Sequence, residues 1–253
     1  MLMKTTLLVS ILLVVTSLIH PGPWSGQSYQ GKLSGEDAFK NTINKIYESL
    51  NEPVLNPDAF YTALLGYRSL CSKGLVRKDS LITIIDYSLP SSEDRFFVID
   101  LHHNSIIFKT LVAHGRNSGE LYASRFSNKV HSHQSALGFY ITGNPYEGRQ
   151  GYSMMLSGVD TGYNDQARTR SIVIHGASYA TYQYLKQYGR LGRSFGCPAL
   201  PPHLNADIIN CIKEGSVLFS YYPDEVYLSN SPVLSAFPKE DLLNKPALYI
   251  PVN

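Results

Sequence analysis

The chain lacks the marks of metal, nucleotide and nucleic-acid chemistry. Its three cysteines (Cys71, Cys197, Cys211) show no zinc-ligand spacing, and none of its eight histidines falls in an HExxH pattern, so no metal is assigned. It has no glycine-rich nucleotide loop and no internal repeat, and no cofactor is implied. Charge is sparse and balanced, with 22 Lys and Arg against 20 Asp and Glu. The basic residues are scattered, which argues against a nucleic-acid partner. No apolar run reaches the roughly 20 residues that a bilayer span needs. The run from Leu7 to Val15, with Lys4 before it and His20-Pro21 after it, reads as a secretory signal peptide over residues 1–20. An uncleaved anchor is the competing reading. No cysteine follows the run, which argues against lipid attachment.

An odd cysteine count leaves one thiol free or intermolecular in an oxidising compartment. A Cys71–Cys211 disulfide would leave Cys197 reactive. Two reduced, helix-borne core cysteines are the alternative, since free cysteine packs as a small hydrophobe.

The chemistry concentrates between Arg170 and Leu200. A short apolar run, Ile172 to Ile174, reads as a strand and delivers His175-Gly176. A polar, aromatic segment follows as one short helix. The stretch closes on Ser194-Phe195-Gly196-Cys197-Pro198. An imidazole that titrates near neutrality and a thiol, each with a glycine beside it, are the parts that cysteine acyl transfer needs. Glycine lets backbone approach a bound carbonyl.

These residues resemble the signature of the murein L,D-transpeptidase catalytic domain family, the YkuD-like L,D-transpeptidases. That branch carries Ile-His-Gly, here Ile174-His175-Gly176, and GRSxGCPA, here Gly192 to Ala199. His114-Gly115, Arg125 to Asn128, Ser135 to Tyr140, and Tyr152-Ser153-Met154 resemble the same branch. Many members of the wider family have a histidine directly before Gly-Cys, where this chain has Phe195. Phe195 is expected to pack in its place.

The resemblance implies a mainly β fold with peripheral helices (α+β), a mixed, sandwich-like sheet with Cys197 on a loop at its edge. It implies acyl transfer on peptidoglycan tetrapeptide stems through a thioester. The outcome is an L,D-transpeptidase cross-link or L,D-carboxypeptidase trimming; a wall-binding protein with a relic site is the rival. It also implies inactivation by carbapenems and a location in the periplasm or cell envelope. Cys197 is the expected nucleophile and His175 its base. The Gly176 carbonyl is expected to hold the imidazole, and the N–H groups of Gly196 and Cys197 to face an oxyanion. Arg193, Ser194, His114, Tyr140 and Tyr152 are candidate substrate contacts, with Arg193 suited to a carboxylate. Ser194 is expected either to orient its loop or to bond to His175.

Around the signature, four segments are expected. Residues 1–20 are the signal peptide. Residues 21–74 hold a flexible lead-in and a helical hairpin, with apolar stripes Phe39, Ile43, Ile46, Tyr47, Leu50 and Phe60, Leu64, Tyr67, Leu70. Asn56-Pro57 opens the second helix and Gly74 closes it. Residues 75–225 are the catalytic domain. Strands are predicted at Leu81–Tyr87, Arg95–Leu101, Ile106–Val112, Leu137–Thr142, Tyr152–Leu156 and Val217–Tyr222, with a helix from Pro202 towards Gly215. The segment 143–151 is predicted as a turn or flap edge, and 116–136 as a long polar loop in which His131 and His133 are surface residues. Residues 226–253 are expected as an irregular tail wrapping the domain or a final short strand.

Overall fold

The computed structural model describes residues 35–236. The expected signal peptide, most of the lead-in and the last part of the tail lie outside them. Two helices come first, α1 (Gly35–Leu50) and α2 (Pro57–Ser72). Asn56 caps α2, its side-chain oxygen accepting from the N–H groups of Asp58 and Ala59, and Pro57 needs no such partner. Gly74, at φ +67°, ends it in the left-handed region that glycine enters freely. The two apolar stripes face inward, with Phe39, Ile43, Phe60, Leu64, Tyr67 and Leu70 all buried.

The sheet has eight strands: β1 (Leu81–Asp86), β2 (Phe96–Asp100), β3 (Ser105–Thr110), β4 (Gly138–Gly148), β5 (Gly151–Gly158), β6 (Val173–Gly176), β7 (Ala199–Leu200) and β8 (Val217–Tyr221). Their order is β3-β2-β1-β8-β4-β5-β6-β7. The β1–β8 and β6–β7 pairs are parallel and the others antiparallel, so the sheet is mixed. Just past β3 the chain bridges to the far end of the sheet, Ala113 pairing with Ala199. The sheet thereby curls into a near-barrel with peripheral helices.

Alternation along the strands sorts side chains between two cores. Ile85, Val98, Tyr140, Met154, Leu156, Ile174 and Leu218 point inward, joined by Ile208, Ile209 and Ile212 of α4 (Pro202–Ile212), which follows the short α3 (Tyr182–Tyr188) between β6 and β7. Ile82, Ile84, Phe97, Ile99, Phe139, Val217 and Phe219 point outward, under α1 and α2. The central strands read as unbroken apolar runs because both of their faces are covered. Cys71 packs with the outer core and Cys211 with the inner one, and both thiols are free. They sit on opposite faces of the sheet and form no disulfide.

Two expectations need correcting. The turn placed at 143–151 is mostly strand. A bulge between Thr142 and Pro145 absorbs the proline, and β4 then runs on to Gly148, leaving only Arg149-Gln150 to reverse the chain. The expected tail begins with two short helices, α5 (Glu225–Asn230) and α6 (Pro232–Ser235). Asp224 caps the first and Ser231 the second, with Pro232 at its first turn. Both helices are tied down by Asp160, which is fully buried. Its carboxylate accepts from Phe139 N–H at 3.0 Å, Tyr227 O–H at 2.9 Å, Ser231 O–H at 2.6 Å and Val233 N–H at 3.3 Å.

Candidate active site

The imidazole of His175 is delivered by β6. Ile174 before it points into the inner core, so His175 points outward, beyond the cover of α1 and α2. Register sets its neighbours. Tyr146 on β4 pairs with Ser153 on β5, Ser153 with His175, and His175 with Ala199 on β7. Paired residues share a face, so Tyr146, Ser153 and His175 stand in one row about 5 Å apart per strand. Two residues before Ala199, on the loop entering β7, is Cys197. It packs in part against the inner core and in part borders the space that His175 faces. Both side chains line one cleft of about 530 Å³, with Tyr146, Ser153 and Arg193.

His175 is buried, and its Nδ1 lies 3.0 Å from the carbonyl oxygen of Gly176. A donor at Nδ1 fixes the tautomer and leaves Nε2 as the basic nitrogen. Burial pushes its pKa below the usual histidine value, more than the Gly176 carbonyl raises it. The ring is therefore neutral at neutral pH and able to accept a proton. Burial pushes the Cys197 thiol up, opposed by Val173 N–H and by the Arg170 guanidinium. At rest both groups of the cleft, thiol and imidazole, are uncharged. The thiol's hydrogen bond runs to Ser171 O, at 3.6 Å, not to the imidazole.

The loop carrying Cys197 is pinned from several sides. Ser194 Oγ donates to Cys197 O at 2.6 Å and accepts from Gly196 N–H at 3.0 Å. Ser194 N–H donates to His114 O, and Arg116 N–H to Ser194 O. Gly196 has φ +125°, and a Cβ there would lie 2.8 Å from Gln134 O and 3.1 Å from Arg170 Nη2. Only glycine fits that turn without displacing them. Arg170 also donates to the carbonyls of Ser127 and Gln134 and to Ser132 Oγ. The long polar loop 116–136 is thus tied to the surroundings of Cys197.

A model of the L,D-transpeptidase catalytic domain family matches residues 51–221. The chain belongs to the L,D-transpeptidase catalytic domain family. Nothing among curated proteins matches the chain. Solved structures similar to it include an L,D-transpeptidase from Mycobacterium smegmatis, at 11% identity and TM-score 0.36, covering 56% of this chain and 59% of that one. A mutant Enterococcus faecium L,D-transpeptidase gives 11% and 0.36, covering 56% and 50%. L,D-transpeptidase 3 from Mycobacterium tuberculosis, in complex with a faropenem-derived adduct, gives 12% and 0.37, covering 56% and 60%. The chain thus spans less than two thirds of the length of these proteins. Among the described residues, no helix is long and apolar enough to cross a membrane, and no cluster of His, Cys, Asp and Glu is arranged to hold a metal ion.

Within this L,D-transpeptidase domain, several residues singled out by sequence stand elsewhere. His114 is buried away from the cleft. Its Nδ1 accepts from Arg95 at 2.8 Å and its Nε2 faces Gly119 O at 3.3 Å. Tyr140 points into the inner core and donates to Ala136 O. Tyr152 lies on the face of β5 opposite His175 and donates to Asn210 on α4. Its neighbour Ser153 is the residue facing the cleft. Arg193 lines the cleft, but its Nη1 is held by the carbonyls of Arg116 and Gly119 and by Glu120. Ser194 bonds within its own loop, not to His175. The Gly196 N–H is taken by Ser194, which leaves the Cys197 N–H with no protein partner among the described residues. Gly176 acts through its carbonyl. Phe195 does not pack: it is 63% exposed at the mouth of the cleft, between the His133 ring at 4.7 Å and the Arg116 guanidinium at 4.9 Å. Sequence reading overlooked Ser153, Arg170 and Tyr146. Strand register alone would have exposed the first and the last; Arg170 carries no local signal.

Proposed function

We propose that the chain is a cysteine acyltransferase acting on peptidoglycan tetrapeptide stems, with Cys197 as nucleophile and His175 as base. One observation carries this reading. The thiol and an imidazole with its Nδ1 already anchored share one outward-facing cleft. In the proposed step the sulfur leaves Ser171 O and turns towards Nε2 by rotation about the Cys197 Cα–Cβ bond. Nε2 takes the thiol proton as the sulfur bonds to the carbonyl carbon of the stem's third residue. The oxyanion is met by the Cys197 N–H, with Val173 N–H and Arg170 stabilising the thiolate as it forms. Collapse breaks the bond to the terminal D-alanine, whose nitrogen receives the proton from Nε2. The thioester then passes to an amine of a second stem, giving a cross-link and the free thiol. Water in its place gives the trimmed tripeptide, the carboxypeptidase outcome.

The wall polymer lies outside the cytoplasm, so the reading carries with it an exported protein in the cell envelope. Carbapenems, which present a strained acyl group to a thiol, are expected to acylate Cys197. The test is incubation of the protein with disaccharide-tetrapeptide, followed by mass analysis. Dimers lacking one D-alanine support transfer, and tripeptide alone supports trimming. Cys197→Ala should abolish both while the protein stays folded. Recovery of unchanged substrate from the folded, unsubstituted protein would leave a wall-binding role.

A further inference from the structure

The hairpin of β4 and β5 is longer than the sheet that holds it. β4 pairs with β8 only over Gly138–Ile141, and β5 with β6 only over Ser153–Met155. Beyond the Tyr146–Ser153 pair, the Glu147–Tyr152 and Gly148–Gly151 pairs have no third strand beside them, so the tip, Glu147 to Tyr152, projects past the sheet. It projects beside the cleft. Tyr146, Arg149 and Gln150 line the same cavity as His175 and Cys197. Tyr146 belongs to the row that ends at His175, and its ring lies against Gly148, where a Cβ would come within 2.8 Å of it.

The cleft contains two arginines in different states. Arg193 is spent on Glu120 and two carbonyls. Arg149 is exposed on the two-residue turn and has no carboxylate or carbonyl partner among the described residues. Among the described residues, no Asp or Glu lines the cavity. A guanidinium free of partners, at the rim of a cavity without acidic groups, selects for a carboxylate, which it binds through paired hydrogen bonds. Arg149 stands three residues along the hairpin from Tyr146, roughly 10 Å at strand spacing. Tyr146 is itself two strand spacings, roughly 10 Å, from His175, so Arg149 stands roughly 14 Å from His175 along the backbone, a gap that its own long side chain and one to three residues of extended peptide close.

We propose that the projecting hairpin tip is a carboxylate-binding subsite: Arg149 grips a carboxylate of the donor peptide while Tyr146 walls the chain beside His175. The subsite rests on the acyl-transfer reading above and specifies how that site selects its donor. It assigns to Arg149 the role that the sequence suggested for Arg193.

The test uses binding, so that turnover does not enter. Full-length Cys197→Ala protein is titrated calorimetrically with a synthetic tetrapeptide stem holding diaminopimelate at its third position. Three further peptides each have one carboxylate converted to the amide: that of the γ-linked glutamate, of diaminopimelate or of the terminal alanine. One of the three amides should bind about tenfold more weakly. Adding Arg149→Gln should weaken the unmodified peptide to the same level and erase the difference between it and that amide, the signature of a direct pair. Arg149→Lys should restore part of the loss. Equal binding of all four peptides to Cys197→Ala, or an amide penalty that persists in Arg149→Gln, overturns the subsite and leaves the acyl-transfer reading standing. Failure of every peptide to bind overturns both.

Discussion

At Cys197 and His175 the environment favours the uncharged form of each group. Burial raises the thiol and lowers the imidazole, so a thiolate–imidazolium pair is not the resting state. The base must be unprotonated to act. Rate should therefore fall with acid only as pH drops through a value below 6.5, the usual histidine figure. A kcat/KM profile for stem cleavage checks this, and an acid limb centred above 6.5 would contradict it. His175→Ala should cost at least about 10²-fold in kcat and remove that limb. Ser194 works differently. It touches neither sulfur nor imidazole, but its hydroxyl closes the turn around Gly196. Ser194→Ala should lower stability by about 1–2 kcal/mol through the two lost hydrogen bonds, and lower kcat more than it raises KM. Thermal melts and steady-state kinetics separate the two effects. His175, Gly176 and Cys197 were singled out in the sequence by flanking glycines, a strand signal and above all the resemblance of their motifs, and the fold brings the His175 and Cys197 side chains to one cleft. The hydrogen-bond economy of the loop was not: nothing local announces that Ser194 uses the Gly196 N–H.

At the scale of elements, register decides which residues reach the cleft. Tyr152 and Ser153 differ by one position and stand on opposite faces. A sequence reading that picks aromatics by type has no means of choosing between them before the partner strands are known. The amphipathic helices were legible because burial of one face leaves a periodic stripe. The length of β4 was not, because its proline reads as a stop until the bulge is seen. The contact of α2 with the sheet is close enough to test. Gly66 lies over the Phe139 ring, and a Cβ there would fall 2.0 Å from Cζ. Phe139 is stacked on Phe219 with centroids 4.1 Å apart, so it has little room to move. Gly66→Ala should destabilise the protein by about 1–3 kcal/mol in urea unfolding, despite alanine's better helix propensity. A gain in stability would show that α2 shifts freely on the sheet.

At the scale of the whole molecule, the near-barrel closes through polar groups as well as apolar ones. Arg95 is fully buried and spends its donors on Leu89 O, Val112 O and His114 Nδ1. Burial, then the Arg95 charge, lower the pKa of His114 to about 3. In the unfolded chain the same ring takes a proton near 6.5. Acid therefore favours the unfolded chain between these values. The contribution of His114 is complete above 6.5 and is lost, by about 1.4 kcal/mol per pH unit, as pH falls towards 3. His114→Gln keeps an acceptor for Arg95 without a titrating ring, and should flatten the stability curve across that window. Unfolding midpoints measured from pH 7 to pH 4 in both proteins decide it. The sequence marked His114-Gly115 by resemblance, but its buried place on Arg95, away from the cleft, followed only from tertiary packing.

The Ala113–Ala199 bridge joins the two ends of the sheet, two residues downstream of the nucleophile. The surroundings of Cys197 are assembled from segments 86 positions apart in the chain (Ala113 to Ala199) and come together when the circle is shut. A nascent polypeptide that has not yet closed this circle therefore holds Cys197 in no fixed setting, and the surroundings proposed for its chemistry should arrive together with the final act of self-organisation, not before it.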